Sequence, residues 1–254
     1  MADPLYLSRL RLRHDAPADQ LVAAALGSRR MGEVMDAQHR LLWTVFGDRS
    51  DRTRDWLWRG ADDAKFFTLS RRAPDPHSAI FDVETRRFEP DLETGDRLSF
   101  QLRVNATRND PNVKASNGKR SKRFDIAQKV INETPQELRA QQRHAIAEQA
   151  ALDWICARSE ASGFRLIEHT PEKRHEEPQE EPQEERRERS ARLDAYHVIR
   201  IPRRRSAQRA VFGVFDLEGL IEVTDPGVFV DTLAQGFGRA KAFGCGLMLI
   251  RRAP

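Results

Sequence analysis

The chain has 254 residues, of which 32% are charged, with a mean hydropathy of −0.68 and a net charge of +4. No apolar run approaches the ~20 residues of a membrane helix, and the short acidic start MADP does not resemble a secretory signal. The two cysteines, Cys156 and Cys245, are far apart and lack His or Cys neighbours at metal-ligand spacing. We therefore expect a cytoplasmic protein with neither structural zinc nor a bound cofactor.

The first ninety residues alternate between strand-like and helical patterns. Leu41, Leu42, Val45 and Phe46 form the apolar face of one helix, with His39 and its neighbours at the margin of that face. The order strand–helix–strand–strand–variable–strand is the ferredoxin-like one. The predicted elements are strand Leu5–Leu12, helices Ala16–Leu26 and Val34–Phe46, strands Trp56–Trp58 and Phe66–Leu69, and Ala79–Phe88, which is either a short helix or extended.

A strongly basic segment follows a predicted strand at Arg97–Arg108. Pro111–Phe124 contains five cations and no acid, and Asn117-Gly118 at its middle favours a hairpin turn. This composition suits contact with a phosphate backbone, and the alternative is a solvated charged loop. The five cations are Lys114, Lys119, Arg120, Lys122 and Arg123.

The remaining chain repeats the same alternation. A long helix is predicted from Thr134 to Ser159, where Thr134-Pro-Gln-Glu137 has the form of a capping box. Its predicted buried residues are Ala145, Ile146, Ala150, Leu152, Ile155 and Cys156. The later predicted elements are strands Phe164–Glu168, Leu193–Pro202, Ala210–Val223 and Leu247–Ile250, and a helix from Asp225 to Leu233.

A low-complexity insert, Glu172–Arg189, interrupts this second unit. It contains eight glutamates and five lysines or arginines, and without it the net charge rises from +4 to +7. So polar a segment cannot bury apolar surface, which predicts a disordered or loosely helical insert that can be deleted without loss of folding.

A glycine-rich loop lies just before the last predicted strand. Exposed backbone N–H groups between glycines, together with arginine and lysine, can seat a phosphate. The alternative is an ordinary helix end and turn before a strand. A dinucleotide-binding loop would instead open a helix after a first strand. The residues concerned are Gly236, Gly238, Arg239, Lys241, Gly244 and Gly246.

The pattern GFGxxKxFGCGL resembles the C-terminal signature of the repeat-associated RNA-binding proteins of CRISPR systems. More narrowly, the chain resembles the CasE family, the CRISPR RNA-processing endoribonucleases of type I-E systems. The stretches LYLSRLRL, QHRLLWTVF, LSFQLRVNATR and NGKRSKRF agree in order and spacing. This resemblance implies an α+β fold of tandem ferredoxin-like domains, here residues 1–92 and 93–254, with RNA lying across their shared basic face.

The resemblance also implies a catalytic histidine in the second helix, at His39. The family context H-x-x-L-W matches His39-Arg-Leu-Leu-Trp43. Imidazole titrates near neutral pH and can move a proton, so RNA would be cut by its own 2′-hydroxyl to leave a 2′,3′-cyclic phosphate and a 5′-hydroxyl. Some relatives have a tyrosine where this chain has Asp36, which either orients the imidazole or faces solvent. Arg40 matches a phosphate-contacting position and is otherwise a surface arginine.

Three functions remain open at this stage. The first is an endoribonuclease that needs no metal, recognises the CRISPR repeat hairpin, and stays with the product in the type I-E surveillance complex, Cascade. The second is a non-catalytic RNA-binding subunit of such a complex, with His39 only structural. The third, an enzyme that binds a small ligand at the glycine loop, lacks the strand–loop–helix context.

Overall fold

The computed structural model describes residues 4–15, 30–47, 54–61, 64–114, 121–169, 188–201 and 210–253. The predicted helix Ala16–Leu26 and the predicted turn at Asn117-Gly118 lie outside these ranges. No helix within them combines the length and the apolar character needed to cross a bilayer. Within the same ranges, no three His, Cys, Asp or Glu side chains are grouped so as to hold a metal ion.

The first sheet has four antiparallel strands in the order β2-β3-β1-β4. The helix α1 connects β1 to β2, and β3 lies between these two strands, as in a ferredoxin-like unit. The segment that the sequence left ambiguous forms the edge strand β4. The elements are β1 (Tyr6–Leu12), α1 (Met31–Phe46), β2 (Trp56–Ala61), β3 (Lys65–Ser70) and β4 (Phe81–Arg87).

Apolar residues of α1 and the sheet form the first core. Leu41, Leu42, Val45 and Phe46 are all buried, as the helical pattern predicted. They pack in one cluster with Leu10 and the two tryptophans of β2. Trp56 and Trp58 are both buried, with 2% and 1% of their surface exposed.

The second sheet repeats this topology. Its strand order is β11-β12-β5-β13, and β8 pairs with the far end of β12. With β8 and β11 counted as one interrupted strand, the order is again ferredoxin-like, which confirms the predicted tandem fold. The strands of this sheet are β5 (Arg97–Val104), β8 (Phe164–Leu166), β11 (Ala191–Ile201), β12 (Ala210–Val223) and β13 (Met248–Arg252). Between β5 and β8 lie β6 (Thr107–Lys114), β7 (Ser121–Asp125), α2 (Gln128–Glu133) and α3 (Arg139–Ser159). The helix α4 (Pro226–Gln235) lies between β12 and β13.

The two ends of the segment between β8 and β11 are hydrogen-bonded to each other. Two short strands pair there, β9 (Glu168–His169) and β10 (Glu188–Arg189). The Ser190 amide donates to the Ile167 carbonyl at 2.8 Å. The insert prediction is therefore wrong for its last two residues, which belong to a strand, while residues 170–187 lie outside the described ranges.

Two predicted elements needed correction. The strand predicted over Arg97–Arg108 is two strands, because β5 ends at Val104 and β6 begins at Thr107. The helix predicted from Thr134 begins only at Arg139, and a separate helix, α2, precedes it. Thr134 is the C-terminal cap of α2, where its amide and hydroxyl both donate to the Val130 carbonyl.

The buried face of α3 is also displaced from the predicted one. Ile155 is buried as predicted, but Ala145 is exposed. Ile146, Ala150, Leu152 and Cys156 are only partly buried, at the edge of the core. The residues that face the core are Ala147, Ala151, Trp154, Ile155 and Ser159.

The two sheets share a core and a polar contact. Leu57 and Leu69 of the first sheet belong to the same apolar cluster as Phe100 and Phe237. Arg103 makes two hydrogen bonds to Asp216, at 2.8 and 3.0 Å, and the Arg59 guanidinium of the first sheet lies 3.8 Å from the same carboxylate. The division of the chain at residues 92 and 93 stays a prediction.

Candidate nucleic-acid and active site

His39 lies in a pocket of aromatic rings between α1 and the glycine loop. Its ring centroid is 5.5 Å from that of Trp56, 6.2 Å from that of Trp43 and 6.4 Å from that of Phe243. Trp43 is one helical turn away on α1, so it lies on the same face as His39. Three chain segments therefore set the position of one half-buried imidazole.

The imidazole has a free nitrogen. His39 Nε2 is buried and has no hydrogen-bond partner within the described part of the chain. The His39 pKa is lowered to about 4, mainly by burial of the imidazole and to a smaller extent by the positive charge of Arg54. The negative charge of Asp36 raises this pKa. His39 is therefore neutral at pH 7 and can accept a proton.

The glycine loop begins at the end of α4, and its backbone is held by both sheets. Asp225 caps α4 by accepting from the Val228 amide at 3.0 Å. Beyond the helix, the Phe237 amide donates to the Gly246 carbonyl, and the Gly246 amide donates to the Arg103 carbonyl. The loop therefore folds back on itself and is hydrogen-bonded to the C-terminal end of β5.

Glycine is required where this loop crosses β2. Gly236 has φ 74° and ψ 158°, a conformation open almost only to glycine. A Cβ there would lie 2.6 Å from Leu57 Cδ1. A Cβ at Gly244 would lie 3.2 Å from the Trp58 ring, whose Nε1 donates to the Ala242 carbonyl at 3.3 Å. These two glycines bring the loop close to β2, which supports the packing interpretation for them.

The predicted phosphate ligands of the loop differ in exposure. Gly238 and Arg239 are exposed, whereas Gly244 and Gly246 are buried. Lys241 is half-buried, and its Nζ donates to the Gln235 carbonyl at 2.5 Å. The Lys241 pKa is lowered, mainly by burial of the ammonium group and to a smaller extent by the positive charge of Arg54.

Arg54 is the cationic residue that the sequence analysis missed. Its charge acts on both His39 and Lys241, so it lies near these two residues. No local motif marks it.

The two other candidates on α1 differ from His39 in their surroundings. Asp36, one turn before His39, is half-buried. It acts on the histidine through its charge, raising the pKa. Arg40 is exposed, as either of its predicted roles requires.

The basic hairpin β6–β7 is attached to the second sheet through its last residue. Asp125 accepts from the Ala127 and Gln128 amides at 2.9 Å and from the Tyr196 hydroxyl at 3.1 Å. Arg123 is exposed, and its Nε donates to Asn109 Oδ1 at 2.9 Å. Of the other predicted cations, Lys114 and Lys122 lie in the two strands, and Lys119 and Arg120 lie outside the described ranges.

The structure thus brings His39 together with Lys241, an unpredicted arginine and the aromatic rings, while the hairpin cations belong to another element. Neutral imidazole can take a proton, and neighbouring cations can stabilise an anion. This group of side chains, called the His39 cleft from here on, places positive charge beside a proton acceptor.

Several solved structures have the same fold. A structure of the CRISPR endoribonuclease Cse3 bound to a 19-nucleotide RNA is 23% identical, with a TM-score of 0.66 and complete coverage of both chains. Thermus thermophilus Cse3 bound to an RNA representing a pre-cleavage complex is 24% identical, with a TM-score of 0.64 and coverage of 99% of this chain and 100% of that one. Cas6e from Escherichia coli K-12 is 19% identical, with a TM-score of 0.51 and coverage of 98% and 100%.

At these identities the likeness establishes the fold. No curated protein sequence matches the chain. The family described as CRISPR associated protein matches residues 5–252, nearly the full length. The resemblance seen in the sequence is confirmed, and the chain belongs to the CRISPR associated protein family.

Proposed function

We propose that this protein is a CRISPR RNA-processing endoribonuclease that binds the hairpin of a CRISPR repeat and cuts the precursor RNA. Family membership and the shared fold with RNA-bound Cse3 support this proposal. The observation that carries it is the neutral His39 with a free Nε2, in a cleft that also contains two cations.

In the proposed reaction, His39 Nε2 accepts the proton of the 2′-hydroxyl next to the scissile phosphate. The 2′-oxygen forms a bond to phosphorus, and the bond from phosphorus to the 5′-oxygen breaks. The leaving oxygen takes up a proton from water, and His39 afterwards returns its proton to solvent, so the products are a 2′,3′-cyclic phosphate and a 5′-hydroxyl. RNA supplies its own nucleophile, and this route needs no metal-bound water.

The low pKa of His39 in the free protein suits this role only if RNA changes it. A base with a pKa of about 4 is a weak acceptor at pH 7. A bound phosphate would offset the nearby positive charge, and a neighbouring anion stabilises imidazolium. We expect the substrate itself to raise the basicity of His39.

The product is proposed to remain bound in the type I-E surveillance complex. A CRISPR RNA-guided surveillance complex contains a chain of this fold, 16% identical with a TM-score of 0.53 over 98% of the present chain. The exposed cations of the hairpin and loop, Arg123 and Arg239, remain as candidates for holding the RNA after cleavage.

The direct test is incubation with repeat hairpin RNA in excess EDTA. We expect cleavage at one position, with cyclic phosphate and 5′-hydroxyl ends identified by mass spectrometry. A hairpin with a single 2′-deoxy sugar before the cut position should bind and stay intact. Cleavage of that deoxy substrate would contradict 2′-hydroxyl attack, and binding without any cleavage would favour the non-catalytic RNA-binding subunit.

A further inference from the structure

Arg54 lies two residues before the start of β2 at Trp56. The Trp56 ring packs against His39, with the ring centroids 5.5 Å apart. The charge of Arg54 lowers the pKa of His39, so its guanidinium lies near the catalytic candidate.

The neighbouring residues hold this part of the backbone in place. Asp55 accepts from Arg72 Nε at 2.8 Å. The other end of the same guanidinium donates to the Phe46 carbonyl at 2.7 Å, at the end of α1, and lies 5.4 Å from the Phe46 ring. These contacts tie the chain just before β2 to the C-terminal end of α1, the helix that carries His39. They hold the backbone next to Arg54 in place.

The charge around Arg54 is not balanced within the described residues. Arg54 Nη1 is buried and makes no hydrogen bond there, and burial lowers the Arg54 pKa. No ion pair to a described carboxylate offsets its charge, whereas its field acts on Lys241 and His39. A partly buried cation of this kind is stabilised when an anion enters beside it.

Building on the proposed function, we propose that Arg54 binds the scissile phosphodiester and stabilises the negative charge of the pentavalent phosphorus in the transition state. Its guanidinium offers several N–H donors in one plane, which suit the two non-bridging oxygens of a phosphate. His39 would then act on the 2′-hydroxyl from one side, and Arg54 would hold the phosphate.

The competing interpretation is that Arg54 is structural and pairs with an acid of the preceding chain. Asp48 and Asp51 lie outside the described ranges and are the nearest such acids in sequence. The two interpretations differ in the free protein. A structural ion pair would stabilise the fold without RNA, whereas a phosphate ligand would contribute mainly when RNA is bound.

The test compares Arg54→Gln and Arg54→Lys with Arg86→Gln, an exposed arginine on β4 at the opposite edge of the first sheet. Arg54→Gln should lower the single-turnover cleavage rate by about 10²- to 10³-fold, as expected for loss of one transition-state donor. Arg54→Lys should recover part of that rate. Affinity for the 2′-deoxy hairpin should fall less than about tenfold, with a salt slope smaller by roughly 0.7 to 0.9.

A second readout does not depend on activity. In NMR titrations, the His39 pKa of free Arg54→Gln should lie above that of the wild type, because a neighbouring positive charge is gone. With the deoxy hairpin bound, the wild-type His39 pKa should rise. Asp36 on α1 and Lys241 of the glycine loop are unchanged in this comparison.

Cleavage by Arg54→Gln within threefold of the wild-type rate would overturn the proposal. So would a large loss of thermal stability in free Arg54→Gln with the cleavage rate of the folded fraction unchanged, which would indicate the structural ion pair. If the wild type itself binds the hairpin without cutting it, the proposed function fails first. In that case, an unchanged salt slope in Arg54→Gln would separately show that Arg54 does not contact phosphate.

Discussion

The cleft at His39 and the basic hairpin are two regions suited to RNA that are built in different ways. In the cleft, the imidazole is held by rings from α1, β2 and the glycine loop. In the hairpin, an exposed cation projects from a ribbon whose base is held by Asp125. Rigid support suits proton transfer, which requires accurate geometry. Exposed cations suit attraction to a phosphate backbone, because this attraction does not require accurate geometry. We expect the two regions to control different measurements.

The largest effect should follow from changing the cleft alone. His39→Ala should reduce cleavage by at least about 10²- to 10⁴-fold, because it removes the proton acceptor. Hairpin affinity should stay close to that of the wild type, because other groups hold the RNA. Single-turnover rates and binding isotherms check both expectations, with the exposed His197→Ala as the control. Native cleavage by His39→Ala would move the catalytic assignment elsewhere.

Changing the hairpin should have the opposite pattern. Replacing Lys119, Arg120, Lys122 and Arg123 with alanine removes up to four phosphate contacts, each contributing a salt slope of roughly 0.7 to 0.9. RNA affinity should fall and depend less on salt, while cleavage of saturated complex should continue. Arg86→Ala with Arg87→Ala, on the exposed edge strand β4, controls for general loss of charge. An unchanged slope would identify the hairpin as a solvated loop.

A third substitution tests whether the glycine loop is part of the rigid cleft. Gly236→Ala should destabilise the fold by about 2 to 5 kcal/mol, because strain at a glycine-only conformation adds to overpacking against Leu57. Gly95→Ala is the matched control. Gly95 also has a positive φ, of 96°, but nothing lies within 4 Å of its added Cβ, so about 1 to 2 kcal/mol is expected. Urea denaturation measures both, and equal losses would show that the loop yields to the added methyl group.

The smallest effect is the contribution of His39 to stability against pH. The pKa of His39 is about 4 in the folded protein and 6.5 ordinarily. The unfolded chain therefore binds a proton that the folded chain rejects, and stability falls as pH drops from about 6.5 to about 4. Above pH 6.5 this contribution is constant. His39→Gln should lose less stability than the wild type between pH 7.5 and 5 in urea titrations, and equal losses would contradict the burial of the imidazole.

The sequence predicted elements well where local pattern and tertiary packing agree. The apolar face of α1 is an example, since helical periodicity alone places it. Prediction failed where two local signals competed. Thr134-Pro-Gln-Glu137 has the form of a helix start, but Thr134 already ends α2 through the Val130 carbonyl, so α3 begins later.

The candidate site was predictable only in part, for a similar reason. His39 was identified through a family motif, and its helix position follows from periodicity. The role inferred for Arg54 depends on contacts between segments that are distant in sequence, and no spacing rule indicates it. In the glycine loop, Gly236 and Gly238 both pack closely, since an added Cβ would lie 2.6 Å from Leu57 and from Val104 respectively. A phosphate-binding role for the loop stays a prediction.

The hydrogen bonding between the two ends of the insert has a consequence for how this protein can change. The Ser190 amide donates to the Ile167 carbonyl at 2.8 Å, and β8 and β11 both pair with β12. The chain therefore leaves and re-enters the sheet at nearly one point. We therefore expect residues 170–187 to tolerate shortening, lengthening or exchange for a foreign domain without a change in the register of either strand. Evolution can adjust this position independently of the cleft, and the same position suits a fluorescent label or a new pair of chain termini.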